Sequence, residues 1–162
     1  MTLQTSVLPR DAVRLGQAAE SREDAVRLTG RVLEDIGAVD RGYADAMVER
    51  ERSISTSVGE GFAIPHGTDE SRVLVRRTAL SFVQFPAGVD WDGDRVFICI
   101  GIAARDDAHL DILARLAEII IQPELAAQLR EAPDADAVLA VLAPAFDPAP
   151  DGAAETTAGA ES

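Results

Sequence analysis

Lysine is absent. All fifteen basic residues of this 162-residue chain are arginines, and that gap removes several mechanisms together. A Walker A phosphate loop, a kinase-type ATP site, a Schiff-base site and a Ser-x-x-Lys nucleophile each depend on a lysine amine. Nucleotide-driven and imine chemistry are therefore excluded in their usual forms. Cysteine is nearly absent too: Cys99 stands alone, so no disulfide can form within the chain. Aromatic residues make up only 4%, which leaves Val, Leu, Ile and Ala to build the interior. The longest apolar run, nine residues from Val96 to Ala104, is far too short to span a bilayer as a helix. The opening Met-Thr-Leu-Gln-Thr lacks a basic stretch followed by an apolar one, so no signal peptide is expected. These gaps point to a cytoplasmic protein with no membrane insertion.

What is present is acid. The chain carries 28 acidic against 15 basic residues, a formal net charge of −13. Such a surface repels phosphate backbones, and no cluster of arginines offsets it, so nucleic acid is excluded as a partner. Apolar residues make up 47%, enough for one domain with a real core.

Residues 3–8 alternate weakly, which predicts a first strand ended by Pro9. Ser21-Arg-Glu-Asp24 has the form of a helix start, and Ala25, Leu28, Val32 and Ile36 then fall on one face up to a stop at Gly37. A second helix is predicted from Tyr43 to Arg52. Residues 53–68 lose helical periodicity and carry Gly59, Gly61, Pro65 and Gly67, as loop and short strand (Phe62 to Ile64). Thr78 to Phe85 is apolar on both faces, as in a covered strand. Turns are expected at Pro86-Ala-Gly88 and again at Asp92-Gly93-Asp94. Val96 to Ile102 is the candidate central strand. From His109 to Ile121 a helix is expected, with Leu113, Leu116, Ala117 and Ile120 inward and an Asp111–Arg115 ion pair outside. Pro123 and Asp134 open two further short helices that end near Ala143. Residues 147–162 hold too little apolar bulk to order themselves, which predicts a disordered tail. The fold class expected is α/β: one layered domain over residues 1–146, with a mixed sheet of about five strands flanked by helices on both faces.

Only two histidines exist, His66 and His109. His66 ends the stretch Gly59-Glu-Gly-Phe-Ala-Ile-Pro-His-Gly67, where a short apolar strand meets a rigid proline and leaves through glycine. That framing holds an imidazole on a stiff base, although the same glycines would equally serve a plain turn. His109 follows the central strand, in the first turn of the next helix. There, free N–H groups suit an anion and disfavour a cationic imidazole; a surface histidine capping the helix is the alternative.

The stretch Gly59–Gly67, the helix Tyr43-Ala-Asp-Ala-Met-Val-Glu-Arg-Glu51, and Ile100-Gly-Ile-Ala-Ala-Arg-Asp-Asp-Ala-His109 together resemble enzyme IIA of the phosphoenolpyruvate-dependent sugar phosphotransferase system. The resemblance is to its fructose/mannitol class and nearest to the mannitol branch. It runs in order from about Leu3 to Ala143 and implies a relay. The phosphocarrier HPr presents a phosphohistidine, His66 accepts the phosphoryl group on Nε2, and a cysteine of enzyme IIB takes it onward to the sugar carried by membrane enzyme IIC. His109 would donate to the phosphoryl oxygens and Arg50 would supply fixed positive charge. Arg52, two positions on, competes with Arg50 for that place, because a helix sends the pair to different faces. Glu60 and Gly67 belong to the motif as binding residues, Glu60 orienting the loop and Gly67 leaving room for a partner's backbone. Cys99 reads as inert core. The resemblance implies no cofactor and no resident metal, and a carrier that fits two partners in turn suits a monomer.

Two other readings stay open at this point. A regulatory protein of the same kind would use its phosphorylation state to control a partner. A metal-dependent hydrolase would use His66, His109 and a carboxylate such as Asp106 or Asp107, although neither His-x-His nor His-Glu-x-x-His spacing occurs.

Overall fold

In the computed structural model, which describes residues 7–104 and 108–146, the apolar run after residue 95 becomes the middle of a five-stranded sheet. The strands are β1 (Val13–Arg14), β2 (Ser57–Gly59), β3 (Phe62–Ala63), β4 (Ala79–Trp91) and β5 (Asp94–Ala103). Their order is β1-β4-β5-β3-β2. β5 pairs antiparallel with β4 and parallel with β3; β1 runs parallel to β4, and β2 antiparallel to β3. From Ile98 to Ala103 every β5 residue is buried. A continuous apolar run is what a strand covered on both faces requires. The helices are α1 (Arg22–Asp35), α2 (Tyr43–Ser53), α3 (Ala108–Ile120), α4 (Pro123–Arg130) and α5 (Ala135–Phe146).

Two polar side chains on β4 identify the layers. Ser81 Oγ donates to the Thr29 carbonyl of α1, 2.9 Å away. Gln84 Nε2 donates to the carbonyls of Arg130 and Ala132, at the end of α4, at 3.2 and 3.1 Å. Residues three apart on a strand point to opposite faces, so α1 with α2 covers one side and α4 with α5 the other. The α/β class, the mixed sheet and the central position of β5 agree with the sequence pattern. Among the described residues no helix is long and apolar enough to cross a membrane.

The helix signals also hold. Ser21 Oγ accepts from the Asp24 N–H at 3.1 Å, Gly37 ends α1 with φ +76°, Pro123 opens α4, and Asp134 accepts from the Ala137 N–H at 2.9 Å. Arg115 and Asp111 pair at 2.9 Å.

The differences have local causes. Val7 and Leu8 form a bend rather than strand, and the rest of the window 3–8 lies outside the described residues. The Pro9 carbonyl instead accepts from Ala12 N–H at 2.9 Å, closing a 3-10 turn that delays the edge strand to Val13. Pro86-Ala-Gly88 does not turn the chain. β4 runs through it, advancing five residues between Gln84 and Val89 while β5 advances two. The surplus forms an exposed bulge, where a proline costs no ladder hydrogen bond. The β4–β5 hairpin turns instead at Asp92-Gly93, with φ +54° and +98° between the paired Trp91 and Asp94, the two-residue primed form that matches strand twist. In α3 the inward residues are Ile112, Leu116, Ile119 and Ile120, with Leu113 partly covered and Ala117 exposed. In α1 the buried face is broader than expected and includes Val26, Thr29, Gly30 and Leu33, because α2 packs on it beside the sheet. α5 runs on to Phe146, and the tail expected over 147–162 lies outside the described residues.

Gly101 reports how tightly α1 sits on β5. A Cβ there would lie 2.4 Å from Ser81 Oγ and 2.8 Å from Thr29 Cγ2. Gly101→Ala should lower unfolding stability by about 1–3 kcal/mol, read from urea unfolding followed by the fluorescence of Trp91.

Candidate functional site

Parallel pairing of β3 with β5 brings the carboxyl ends of both strands to one place. Phe62 stands beside Ile98, Ala63 beside Cys99, and past the end of β3 His66 bridges to Ile102. Ile102 N–H donates to the Pro65 carbonyl at 3.0 Å. The imidazole is then oriented by its own chain. Its Nδ1 lies 3.0 Å from the Ile64 carbonyl, and a carbonyl can only accept. In the neutral ring, therefore, Nδ1 carries the proton and Nε2 is left with the free electron pair. Burial pushes the His66 pKa down. The Ile64 carbonyl and Glu51 oppose that shift, while Arg50 and Arg72 add to it.

Tyr43, at the start of α2, staples this corner. Its buried hydroxyl donates to the Ile102 carbonyl at 2.9 Å and accepts the Gly67 N–H at 3.0 Å, joining the segment after His66 to the end of β5. A Cβ on residue 67 would lie 2.3 Å from Ser71 Oγ and 2.7 Å from Tyr43 Cε1. In the structure, the requirement for glycine comes from the packing beneath the loop.

His109 enters from the first turn of α3. The two imidazole centroids are 4.6 Å apart with planes inclined at 56°. His109 Nε2 is buried and has no hydrogen-bond partner among the described residues. Burial again lowers its pKa first, helped by His66, Arg72 and Arg50 and opposed by Asp69. Both rings are thus neutral at pH 7, and together they line a cleft of about 230 Å³ with Arg50, Arg72, Thr68 and Asp69.

Three consecutive residues at the end of α2 have three destinations. Arg50 lines the cleft, its Nη1 donating to the Ile54 carbonyl at 3.0 Å. Arg52 turns away and grips Glu23 of α1 through two hydrogen bonds of 2.7 and 2.9 Å. Of the competing pair, then, Arg50 is the one that lines the cleft with His66. Glu51 between them is 2% exposed. It accepts from Thr56 N–H and Trp91 Nε1, each at 2.9 Å, and from the Thr56 hydroxyl. This buried carboxylate ties the end of α2 to the approach of β2 and to the β4–β5 hairpin.

Glu60 is not brought into the cleft. It occupies the β2–β3 turn with φ +58°, and its carbonyl accepts Arg130 Nη1 at 2.7 Å. It precedes β3 whereas His66 follows it, and the four steps along the chain from Phe62 to His66 alone span about 13 Å. Cys99 is buried in β5, and burial pushes its thiol pKa far up, which makes it the inert core residue expected. Sequence reasoning missed Tyr43 as a tether, Glu51 as a buried anchor and Arg72 as a second cation. Tyr43 carries a faint signal as an aromatic on the inner face of α2. Glu51 and Arg72 look like ordinary surface charges in a chain rich in them. No group of three His, Cys, Asp or Glu side chains able to hold a metal occurs among the described residues; Asp106 and Asp107 lie outside them.

Comparison with known proteins now becomes informative. Residues 6–144 match the family described as phosphoenolpyruvate-dependent sugar phosphotransferase system, EIIA 2. A mannitol-specific phosphotransferase enzyme IIA component of Staphylococcus aureus (strain Mu50 / ATCC 700699) is 37% identical over 138 residues, covering 85% of this chain and 96% of that protein. The crystal structure of IIA mannitol from Escherichia coli superposes with a TM-score of 0.76 at 32% identity, covering 82% of this chain and 96% of that one. A complex of enzyme IIAMTL and phosphorylated enzyme IIBMTL, also from Escherichia coli, gives 0.78 at 33% identity over 83% and 96%.

The lowered pKa values have a consequence for stability. Below the ordinary value of 6.5 the unfolded chain takes up protons at both histidines before the folded chain does. Stability is therefore full above pH 6.5 and falls as the pH drops below it. Urea midpoints measured at about pH 7.5 and about pH 5.5 should fall less in the His66→Gln/His109→Gln double variant than in wild type. Equal falls would contradict the neutral, buried state of the rings.

Proposed function

The chain belongs to the phosphoenolpyruvate-dependent sugar phosphotransferase EIIA 2 family and is a phosphotransferase component of mannitol type; on that premise, we propose that it carries a phosphoryl group on His66 Nε2 between HPr and an enzyme IIB. The observation that carries this reading is the hydrogen bond from Nδ1 to the Ile64 carbonyl, which commits one ring nitrogen and frees the other.

In the accepting step the Nε2 electron pair attacks the phosphorus of a phosphohistidine on HPr. The donor's N–P bond breaks, its electron pair returns to the donor ring, and an Nε2–P bond forms. In the delivering step a cysteine thiolate of enzyme IIB attacks the same phosphorus. An S–P bond forms, and the Nε2–P electron pair returns to His66. Such transfers need alignment and neutralisation of the equatorial oxygens more than covalent help. A lowered pKa keeps Nε2 unprotonated at pH 7, so no proton has to leave before attack. His109 Nε2, without a partner among the described residues, is available to the phosphoryl oxygens in the tautomer that carries its proton there. Arg50 supplies a planar guanidinium for the same oxygens.

Docking also has support on the surface. Ile54, Val73 and Leu110 are large apolar side chains left 65%, 82% and 67% exposed. Val73 and Leu110 directly follow the cleft residues Arg72 and His109, and Ile54 is the residue whose carbonyl accepts from Arg50. Protein partners would cover them, and the acidic remainder of the surface would stay in water. The choice of enzyme IIB follows the Escherichia coli complex, and that of HPr follows the family resemblance. In this reading residues 1–146 form the carrier unit, which works as a monomer in the cytoplasm and serves mannitol-type uptake.

The test is intact mass after incubation with phosphoenolpyruvate, enzyme I and HPr. Wild type should gain one acid-labile, base-stable phosphoryl group and His66→Gln none, while His109→Ala should still accept but pass the group on more slowly. No gain in wild type, with the partners active on a known acceptor, would refute the carrier role. In the same assay Arg50→Ala should slow acceptance by about tenfold or more, whereas Arg52→Ala, which loses only an exposed ion pair, should stay within about twofold.

A further inference from the structure

The cleft holds a second guanidinium whose bonding differs from that of Arg50. Arg72 lies on a 3-10 turn, Glu70–Leu74, and the backbone of that turn is closely held. Ser71, 6% exposed, donates its N–H to the Thr68 carbonyl and hydroxyl oxygens at 3.1 and 3.2 Å. Its own hydroxyl donates back to the Thr68 carbonyl at 2.7 Å, and Arg72 N–H donates to the Asp69 carbonyl at 3.2 Å. The segment is pinned further by the Tyr43 hydroxyl on Gly67. The base of Arg72 is thereby fixed beside His66.

Its head is not. Among the described residues the guanidinium has one side-chain partner, Asp69 Oδ1 at 3.5 Å, and that carboxylate is 92% exposed. A single long contact to a solvated carboxylate is weak. Arg50, by contrast, donates to a backbone carbonyl that cannot leave. Arg72 lines the same cleft as His66 and His109, and its charge acts on both rings, so it borders the place where a phosphoryl group would sit.

We infer that Arg72 is a second phosphoryl-binding cation of this cleft, held by Asp69 while His66 is free and exchanged onto the phosphoryl oxygens when it is loaded. The inference rests on His66 as the carrier. The exchange makes and breaks no covalent bond. The guanidinium gives up one long carboxylate contact for a dianion that can accept two parallel N–H bonds. Asp69 screens the cation in the empty cleft and repels the phosphoryl group in the loaded one, so the two residues act in opposite directions.

That opposition is testable. Single-turnover acceptance from phospho-HPr, and the phosphorylated fraction at equilibrium with it, are measured for wild type, Arg72→Ala, Arg72→Lys and Asp69→Asn, with thermal unfolding alongside. Arg72→Ala should lower both quantities by about tenfold, Arg72→Lys should recover part of the loss, and Asp69→Asn should raise the phosphorylated fraction, all at nearly unchanged unfolding temperature. Wild type that accepts nothing would overturn the carrier reading and this one with it. Wild type that accepts, with Arg72→Ala within about twofold of it, would overturn the role of Arg72 alone. A fall in Asp69→Asn matching that in Arg72→Ala would overturn the exchange, since the ion pair itself would then be what the cleft needs.

Discussion

The parallel ladder between β3 and β5 is the constraint from which the cleft follows. β3 is only two residues long and could not hold a register by itself. It is set by β5, buried from Ile98 to Ala103, whose N–H groups at Phe97, Ile98 and Ile102 reach the carbonyls of Gly61 and Pro65. An unpaired backbone group in such a place would be costly, so a slip of one residue is strongly disfavoured and would turn His66 to the other face. With the register set, His66 and the start of α3 emerge side by side. The Tyr43 hydroxyl then closes the corner, satisfying one donor and one acceptor with a single group.

The electrostatics of the cleft run against those of the molecule. The chain carries a net charge of −13, yet two arginines converge on two neutral imidazoles. Burial drives the neutralisation, and the arginines reinforce it: cations that suit an incoming phosphoryl group also resist protonation of the histidine that would receive it. Binding charge and nucleophile are therefore mutually supportive. Total charge bears on solubility, while its local distribution bears on chemistry.

α2 shows how much a single helical turn can separate. Arg50, Glu51 and Arg52 follow one another, and each step rotates the side chain by about 100°. One faces the cleft, one is buried against Thr56 and Trp91, and one reaches back to Glu23. The buried carboxylate between the two guanidiniums holds the last turn in place, and so decides which arginine faces His66.

Much was legible from residues alone: the α/β class, the central strand, the helix starts at Ser21, Pro123 and Asp134, and the segment bearing His66. These depend on neighbours within a few positions. A capping serine, an apolar run or a proline at a helix start acts through its own backbone, and its residue type carries the instruction. What tertiary structure decided were relations between distant segments. Glu60 shares a motif with His66 but sits at the far end of β3, because a strand extends the chain instead of coiling it. Pro86-Ala-Gly88 looks like a turn and is a bulge, because β4 already had a partner in β5 on either side of it. Arg50 and not Arg52 faces the cleft, and Arg72 enters it, because of which buried groups anchor α2 and the turn at Thr68–Arg72. Local chemistry is written in residue type and short spacing, whereas the convergence of side chains depends on which surfaces exclude water together, and that only the folded chain determines.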